Sequence, residues 1–186
     1  MKHSMGFTII EVLISLLLLA LLLRLGNAGL SSFVTASRSA SALQMIHDTI
    51  ALARSRAVLE RTTVTVCGTL DGQTCVRNWN QGVLVFTDSN NNGELDGSDR
   101  IIATPTMRVS EGEIRWRAFQ NRRVLQISSV GHTRSQNGSF TYCHYSGDTR
   151  RTRQLVVSRT ARLRFAQDND GDGVVDDSNG KPVKCP

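Results

Sequence analysis

The sequence of 186 residues lacks the motifs that mark the common enzyme classes. It contains no H-E-x-x-H metal motif, no glycine-rich phosphate loop and no nucleophile elbow, and its four histidines are scattered. Its four cysteines show no C-x2-C spacing, which argues against a zinc site. These absences predict a protein that is not an enzyme and that needs no cofactor.

Lysine is absent from residues 101–165, where twelve arginines stand against three acidic residues, a net charge of +9 (12 − 3). The flanking segments 88–99 and 168–177 are acidic instead. Such asymmetry is typical of a face that binds a polyanion, although a solvated sheet face balanced by nearby acids explains it equally well. Aromatic residues make up only 5% of the chain, which favours binding through phosphates over base stacking.

The first thirty residues contain an apolar run, 7–23, that is interrupted by Glu11. As a helix this run is about 25 Å long, slightly short of a ~30 Å hydrocarbon core, and extension to residue 30 gives the needed length. Lys2 and His3 precede it, and positive charge there favours an N-terminus that stays in the cytoplasm. We therefore expect a single pass through a membrane, with the domain on the side opposite the cytoplasm.

Three interpretations of this run compete. A secretory signal would be cut after the small residues "GNA" that end at Ala28, and a plain anchor would not be cut. A prepilin leader would be cut between Gly6 and Phe7, which places a new α-amine one helical turn before Glu11. Because a buried carboxylate needs a cationic partner, and a neighbouring subunit's amine supplies one, Glu11 favours the third interpretation.

The stretch "GFTIIEVLISLLLLAL" resembles the N-terminal signal of type IV pilins and type II secretion pseudopilins. The resemblance implies that a prepilin peptidase cleaves after Gly6 and methylates the new N-terminus at Phe7. It also implies that Glu11 serves subunit assembly, with the chain held in the inner membrane beforehand. Arg24 departs from the pattern, since an arginine is unusual so early in a pilin helix.

Beyond the run, apolar residues at three- and four-residue steps predict that the helix continues to about Glu60 with one buried stripe. From Arg61 the pattern alternates, as in "TTVTVCG", "GVLVFTD" and "EIRWRAF", with turn residues between six or more strands. We predict an α+β fold in which a long N-terminal helix packs on an antiparallel sheet. The predicted parts are leader 1–6, membrane or filament-core helix 7–30, amphipathic half 31–60 and β-rich domain 61–186.

The order of these features is similar to that of the FimT/FimU and pseudopilin H group of minor pilins. The resemblance implies a minor type IV pilin that joins or primes a pilus with other major and minor pilins, with DNA binding during natural transformation. A purely structural type II secretion pseudopilin and a dedicated DNA-uptake receptor are the alternatives.

The resemblance also places candidate DNA-binding residues near the C-terminus, where some FimT-like proteins carry a G-R-x-R motif. Here "SRTARLRF" has arginines at the matching spacing but Ala161 in place of the glycine. If that glycine has a positive φ, alanine disfavours the turn. Guanidinium groups bind phosphates bidentately and keep their charge. The predicted contacts to double-stranded DNA are Arg159, Arg162, Arg164, Arg150, Arg151 and Arg153.

The four cysteines behind an exported segment indicate disulfides, for which three pairings exist. Cys67 and Cys75 flank a turn-like "GTLDGQT", which favours a local bridge. Cys143 and Cys185 then remain to tie the tail to the domain.

Two acidic stretches have the spacing of an EF-hand calcium loop, with glycine at position six. Strand-like flanks and the absence of a glutamate at position twelve weaken the match, and Asp/Asn/Gly turns give such strings without metal. Calcium is therefore a weak candidate ligand. The oxygen-bearing residues are Asp88, Asn90, Asn92 and Asp96 in the first loop, and Asp168, Asp170, Asp172 and Asp176 in the second.

Overall fold

The computed structural model describes residues 8–185, and within them all side chains except those of 23–36 and Arg38. The chain divides into two compact units, Met1–Ser37 and Arg38–Pro186. The cleavage site predicted at Gly6 and Phe7 lies outside the described residues.

The helix α1 spans Ile9–Glu60, as the sequence predicts for its C-terminal end. Thr8 precedes it, and the Thr8 side-chain oxygen accepts a hydrogen bond from the Glu11 backbone N–H at 3.4 Å. The side chains of 9–22 are exposed and largely apolar, and Glu11 is among them. Within residues 8–185, no helix has both the length and the apolar character that crossing a membrane requires.

In the second unit the remainder of α1 buries one stripe against the domain. Its buried members repeat at three- and four-residue steps, which confirms the predicted periodicity. The helix ends where Arg61 adopts a left-handed φ of 52° and the Thr62 N–H bonds the Ala57 carbonyl. The buried stripe consists of Leu43, Ile46, Ile50, Ala53 and Ala57.

Over residues 8–185, eight strands form two four-stranded sheets in which all neighbours are antiparallel. The α+β prediction is therefore confirmed, although the strands divide into two sheets where the sequence suggested one. Sheet 1 has the order β3-β2-β1-β5, with β1 at Val64–Gly68, β2 at Val83–Thr87, β3 at Ile101–Ala103 and β5 at Leu125–Ile127. Sheet 2 has the order β4-β6-β7-β8, with β4 at Gly112–Ala118, β6 at Gly138–His144, β7 at Arg153–Val157 and β8 at Leu163–Phe165.

One hydrophobic core joins α1 to both sheets. It contains alternate residues of the central strands, such as Val66 and Val85 from sheet 1 and Phe140 and Leu155 from sheet 2. In sheet 1 the strands β1 and β2 are buried on both faces, because a second cluster around Leu84 lies on their other side. Sheet 2 buries only one face along β4, where exposed residues alternate with buried ones. The outer face of sheet 2 is therefore the broad strand surface available to a partner.

Both predicted disulfides are present. Cys67–Cys75 closes the loop after β1, and Cys143–Cys185 joins β6 to the C-terminal tail. The tail adds only a small apolar cluster of Ala166, Val175 and Val183. Because that cluster is so small, the Cys143–Cys185 disulfide contributes more than apolar packing to holding the tail on the domain.

Candidate nucleic-acid interface

The outer face of sheet 2 carries arginine at both edges. Arg117 on β4 pairs with Ser139 on β6, which pairs with Val156 on β7, which pairs with Arg164 on β8. These four residues, here called the outer row, share one face because paired residues point to the same side of a sheet. Three strand spacings separate the two exposed arginines, a width of roughly 14 Å.

The centre of this face is neutral and polar. The Gln154 side-chain amide donates to the hydroxyls of Ser139 and Thr141 at 3.3 and 3.1 Å, so these groups satisfy one another. The neutral centre leaves the arginines at the edges to set the sign of the local potential.

A groove of about 620 Å³ follows β4 and is continuous with the outer row through Arg117. Glu113 is the only acidic residue in its lining, and the half-buried Trp116 is among the other residues. We call it the β4 groove, and its five arginines are Arg77, Arg115, Arg117, Arg122 and Arg123.

The arginines of the β4 groove differ in their partners. Arg115 donates to Glu113 at 2.7 Å, Arg123 donates to Glu94 at 2.6 Å, and Arg77 donates to Asn121 at 3.1 Å. Within the described chain, Arg117 and Arg122 have neither an ion pair nor a side-chain hydrogen bond. Two exposed guanidinium groups are thus available for phosphate oxygens, and the others give a positive background.

The six arginines predicted from the C-terminal motif do not form one patch. Arg164 lies in the outer row, whereas Arg162 lines a hollow beside α1 together with Arg54. Arg151 bonds His144, and the Arg153 guanidinium donates to the carbonyl groups of Arg150 and Thr152.

The remaining two of the six lie apart from one another as well. Arg159 is exposed on the turn between β7 and β8, where its carbonyl accepts from Thr133. The side chain of Arg150 lies beside Gly173 in the second acidic loop. Of the six predicted arginines, only Arg164 therefore belongs to the surface that the β4 groove and the outer row form together.

Sequence reasoning did not single out Arg115, Arg117 or Arg122. A signal for two of them is present, since "EIRWRAF" alternates arginine with apolar residues and so places Arg115 and Arg117 on one face of a strand. Their proximity to Arg164 depends on strand pairing, which the alternation does not reveal.

The turn before β8 contains Ala161 at the position where the G-R-x-R motif has glycine. Ala161 has φ of 53°, the left-handed region that glycine adopts at little cost, and its side chain is buried. The Ala161 N–H and the Arg162 N–H both bond Ser158, which holds the turn. The turn thus forms with alanine in a conformation that glycine would adopt with less strain.

The first acidic loop covers the second face of sheet 1. Asp88 is fully buried, and its Oδ2 accepts from Thr65, the Gly93 N–H and Gln126 at 2.6, 3.0 and 2.8 Å. Among the exposed candidates, Asp96 Oδ2 accepts from the side-chain amides of Asn90 and Asn92 at 2.7 and 3.1 Å.

The carboxyl of Asp96 is also held by Ser98. Hydrogen bonds from the Ser98 hydroxyl and N–H, followed by that from Asn90, lower the pKa of Asp96 to about 2. The amide groups of this loop therefore turn their N–H donors, rather than oxygens, towards the aspartate at position nine.

The second acidic loop brings acids together instead. Oxygens of Asp168, Asp170 and Asp176 lie within 4.8 Å of one another. Hydrogen bonds from the N–H groups of Gly173 and Gly171 lower the pKa of Asp168. Asp172 does not belong to this group, and its Oδ1 accepts from the Val174 N–H at 2.7 Å.

A single N-terminal helix packed through its C-terminal part on antiparallel sheets defines a pilin-like subunit. The family model described as "Type II transport protein GspH" matches residues 42–161. The chain belongs to this family. It is a minor pilin or pseudopilin, a structural component of a pilus or pseudopilus that assembles with other such subunits, and it is not an enzyme.

Two solved structures of one minor pilin share the fold. Two crystal structures of the type IV minor pilin FimU from Pseudomonas aeruginosa match at 16% and 18% identity, with TM-scores of 0.51 and 0.53. Each match covers 68% of this chain, and 91% and 87% of the FimU chains respectively. The minor pseudopilin EpsH of the Vibrio cholerae type 2 secretion system matches at 12% identity and TM-score 0.48, over 72% of this chain and 98% of EpsH. No curated protein sequence matches the chain.

Proposed function

We propose that this subunit joins or primes a type IV pilus and binds duplex DNA through the β4 groove and the outer row. The observation that carries the proposal is the continuous basic surface, in which five groove arginines oppose one glutamate and Arg164 extends the charge across the sheet. Arginines without partners at both edges can contact phosphates on a backbone that crosses the face. The few aromatic residues favour a mode that is independent of base sequence.

DNA binding is tested with the full-length protein in neutral detergent and a fluorescent duplex, over a series of salt concentrations. The wild-type affinity should fall steeply as salt rises, since each neutralised phosphate contributes about 0.9 to the logarithmic slope. The variant Arg117→Gln/Arg122→Gln should lower the slope by about 1.8, because both residues belong to the β4 groove. The variant Arg162→Gln/Arg164→Gln should lower it by only about 0.9, because Arg162 lies beside α1.

A matched control removes the same charge elsewhere. Arg56 and Arg100 both pair with Glu60, and the variant Arg56→Gln/Arg100→Gln should leave the salt slope unchanged. If this control weakens binding as much as the groove variant, only net charge matters and the assigned surface is wrong. If the wild type does not bind DNA at low salt, the subunit acts as a structural pseudopilin alone.

Assembly is the second part of the proposal. Prepilin peptidase would cleave between Gly6 and Phe7 in the inner membrane, and Glu11 would pair with the α-amine of a neighbouring subunit in the filament. Exposed apolar side chains over 9–22 support packing among other pilin helices, because such a surface is unfavourable in water.

The mature protein should begin at an N-methylated Phe7 in mass spectra. The variant Glu11→Ala should be processed normally but should be lost from isolated filaments, while the nearby Ser15→Ala should be retained. A mature chain that begins at Gly29, or full retention of Glu11→Ala in filaments, would contradict this assembly mechanism.

A further inference from the structure

We propose that the loop 168–176 is a calcium site that fixes the C-terminal tail to the domain. The site is built from three carboxylates that converge without a cation from the described chain, and one of them, Asp176, is buried. The site does not depend on the arginines proposed to bind DNA.

The convergence of acids is the first observation. Oxygens of Asp168, Asp170 and Asp176 lie within 4.8 Å of one another, close enough for one ion to contact all three. None of the three takes part in an ion pair of the described residues, although the Arg150 side chain passes beside Gly173. Three like charges at this distance repel one another unless a cation lies between them.

The second observation is an unpartnered oxygen. Asp176 is only 3% exposed, and its Oδ2 accepts from the Asn169 N–H and side-chain amide at 2.9 and 3.1 Å. Its Oδ1 is buried and has no hydrogen-bond partner in the described chain. A buried carboxylate oxygen without a donor is costly, and a cation bound among the three acids would satisfy it.

The backbone holds the remaining groups in place. The N–H groups of Gly171 and Gly173 donate to Asp168 at 2.7 and 2.8 Å, and the Asp172 N–H donates to Asp170 at 3.1 Å. Gly171 and Gly173 have φ of 80° and 88°, so this path depends on residues without a Cβ. The acids are thereby preorganised on a loop that needs little rearrangement to bind an ion.

The first acidic loop is an internal comparison. It repeats the backbone contacts, since the Gly93 N–H donates to Asp88 and the Asn92 N–H donates to Asn90. It also has a buried oxygen without a hydrogen-bond partner in the described chain, Asp88 Oδ1. Its position-nine acid Asp96, however, is already satisfied by amide donors. Chemistry rather than loop shape therefore distinguishes the two loops, and only the second brings several negative oxygens to one point.

The oxygen-only ligand set selects the class of ion. Carboxylates on an irregular loop suit Ca²⁺, which accepts six to eight oxygens at variable angles, better than Mg²⁺, which demands near-ideal octahedral geometry. The loop offers no glutamate at position twelve, so waters would complete the shell. We expect a dissociation constant on the order of 10⁻⁴–10⁻³ M, typical of extracellular calcium modules.

The consequence lies in the tail. Residues 168–176 lie between Ala166 and Val183, two members of the small tail cluster, and include its third member, Val175. The tail ends in the Cys143–Cys185 disulfide. Calcium would hold the start of the tail as the disulfide holds its end. Protease cleavage between Ala166 and Cys185 should therefore slow when calcium is added.

The test is calorimetric titration of the chelator-treated, full-length protein in detergent with CaCl₂ and separately with MgCl₂, together with limited proteolysis. One calcium should bind per chain, with weaker binding of magnesium and slower cleavage of the tail. The variant Asp176→Asn should weaken calcium binding at least tenfold. Since Asp176 is buried and its replacement could disturb folding, Asp170→Asn provides an exposed second variant that should also weaken binding.

Asp96→Asn, at the equivalent position of the first loop, is the matched control and should bind calcium as the wild type does. Two calcium ions per chain, binding that survives in Asp170→Asn but is lost in Asp96→Asn, or equal affinity for magnesium would overturn the assignment. An absence of binding heat and of protection at millimolar calcium would overturn it as well.

Discussion

Replacement of Cys143 and Cys185 by alanine is expected to lower the free energy of unfolding by about 4 kcal/mol. The disulfide joins residues separated by 42 positions, and the entropy that a crosslink removes from the unfolded chain grows with that separation. The tail cluster of three small residues offers little to offset the loss. Urea denaturation of the full-length protein in detergent measures the change.

The other disulfide is the matched control. Cys67 and Cys75 are separated by only 8 positions, so alanine at both should cost about 2.5 kcal/mol by the same chain-entropy argument. The prediction is that the loss of unfolding free energy is larger for Cys143→Ala/Cys185→Ala than for Cys67→Ala/Cys75→Ala. An equal or larger loss for Cys67→Ala/Cys75→Ala would show that loop length does not determine the contribution of these bridges.

Trp79→Ala is expected to lower the free energy of unfolding by about 3–5 kcal/mol. Trp79 is fully buried, and its ring lies edge-on to that of Phe140 with ring centroids 4.7 Å apart. The centroid of the Trp116 ring lies 6.3 Å from that of Trp79. Removal of the indole leaves a cavity at the centre of the core that α1 shares with both sheets. Thermal or urea denaturation measures the loss.

Trp79→Phe distinguishes the contribution of volume from that of the indole N–H. The Trp79 Nε1 is buried and lacks a hydrogen-bond partner in the described chain, so phenylalanine removes an unsatisfied donor. We expect a smaller loss of unfolding free energy, about 1–2 kcal/mol.

The control is Phe119→Ala, at an exposed aromatic next to β4, which should change the free energy of unfolding by no more than about 0.5 kcal/mol. A loss for Trp79→Phe equal to that for Trp79→Ala would contradict the cavity argument.

The element types could be predicted from the sequence because they depend on local periodicity. The end of α1 at Glu60 and its buried stripe follow from three- and four-residue steps, and most strands follow from alternation. The segment "RQLVVSRTARLRF" was less clear, since it reads as one strand but forms β7 and β8 around a turn at Ala161. Nothing in the amino-acid composition of this segment predicts that Ala161 adopts a positive φ and so ends β7.

The candidate sites were predictable in part. The arginine excess was evident from counting, but its functional grouping was not, because Arg162 and Arg164 are neighbours in sequence and yet lie on different surfaces. The two acidic loops have nearly the same spacing, so spacing alone could not separate them. Their difference lies in Asn90 and Asn92, whose amides donate to Asp96, where the second loop has Asp170 and Asp172.

The sequence by itself determined the helix, the alternating strands, the family resemblance and the sign of the charge, because each depends on residues close together in the chain. Tertiary structure alone decided that strands divide into two sheets and that Arg117 and Arg164 end one row, because register is set by pairing between distant segments. It also decided that the Asp88 Oδ2 accepts from the distant Thr65 and Gln126, while the Asp176 Oδ2 accepts from the nearby Asn169. Both aspartates are buried, so their hydrogen-bond partners and the convergence of Asp176 with Asp168 and Asp170 separate them.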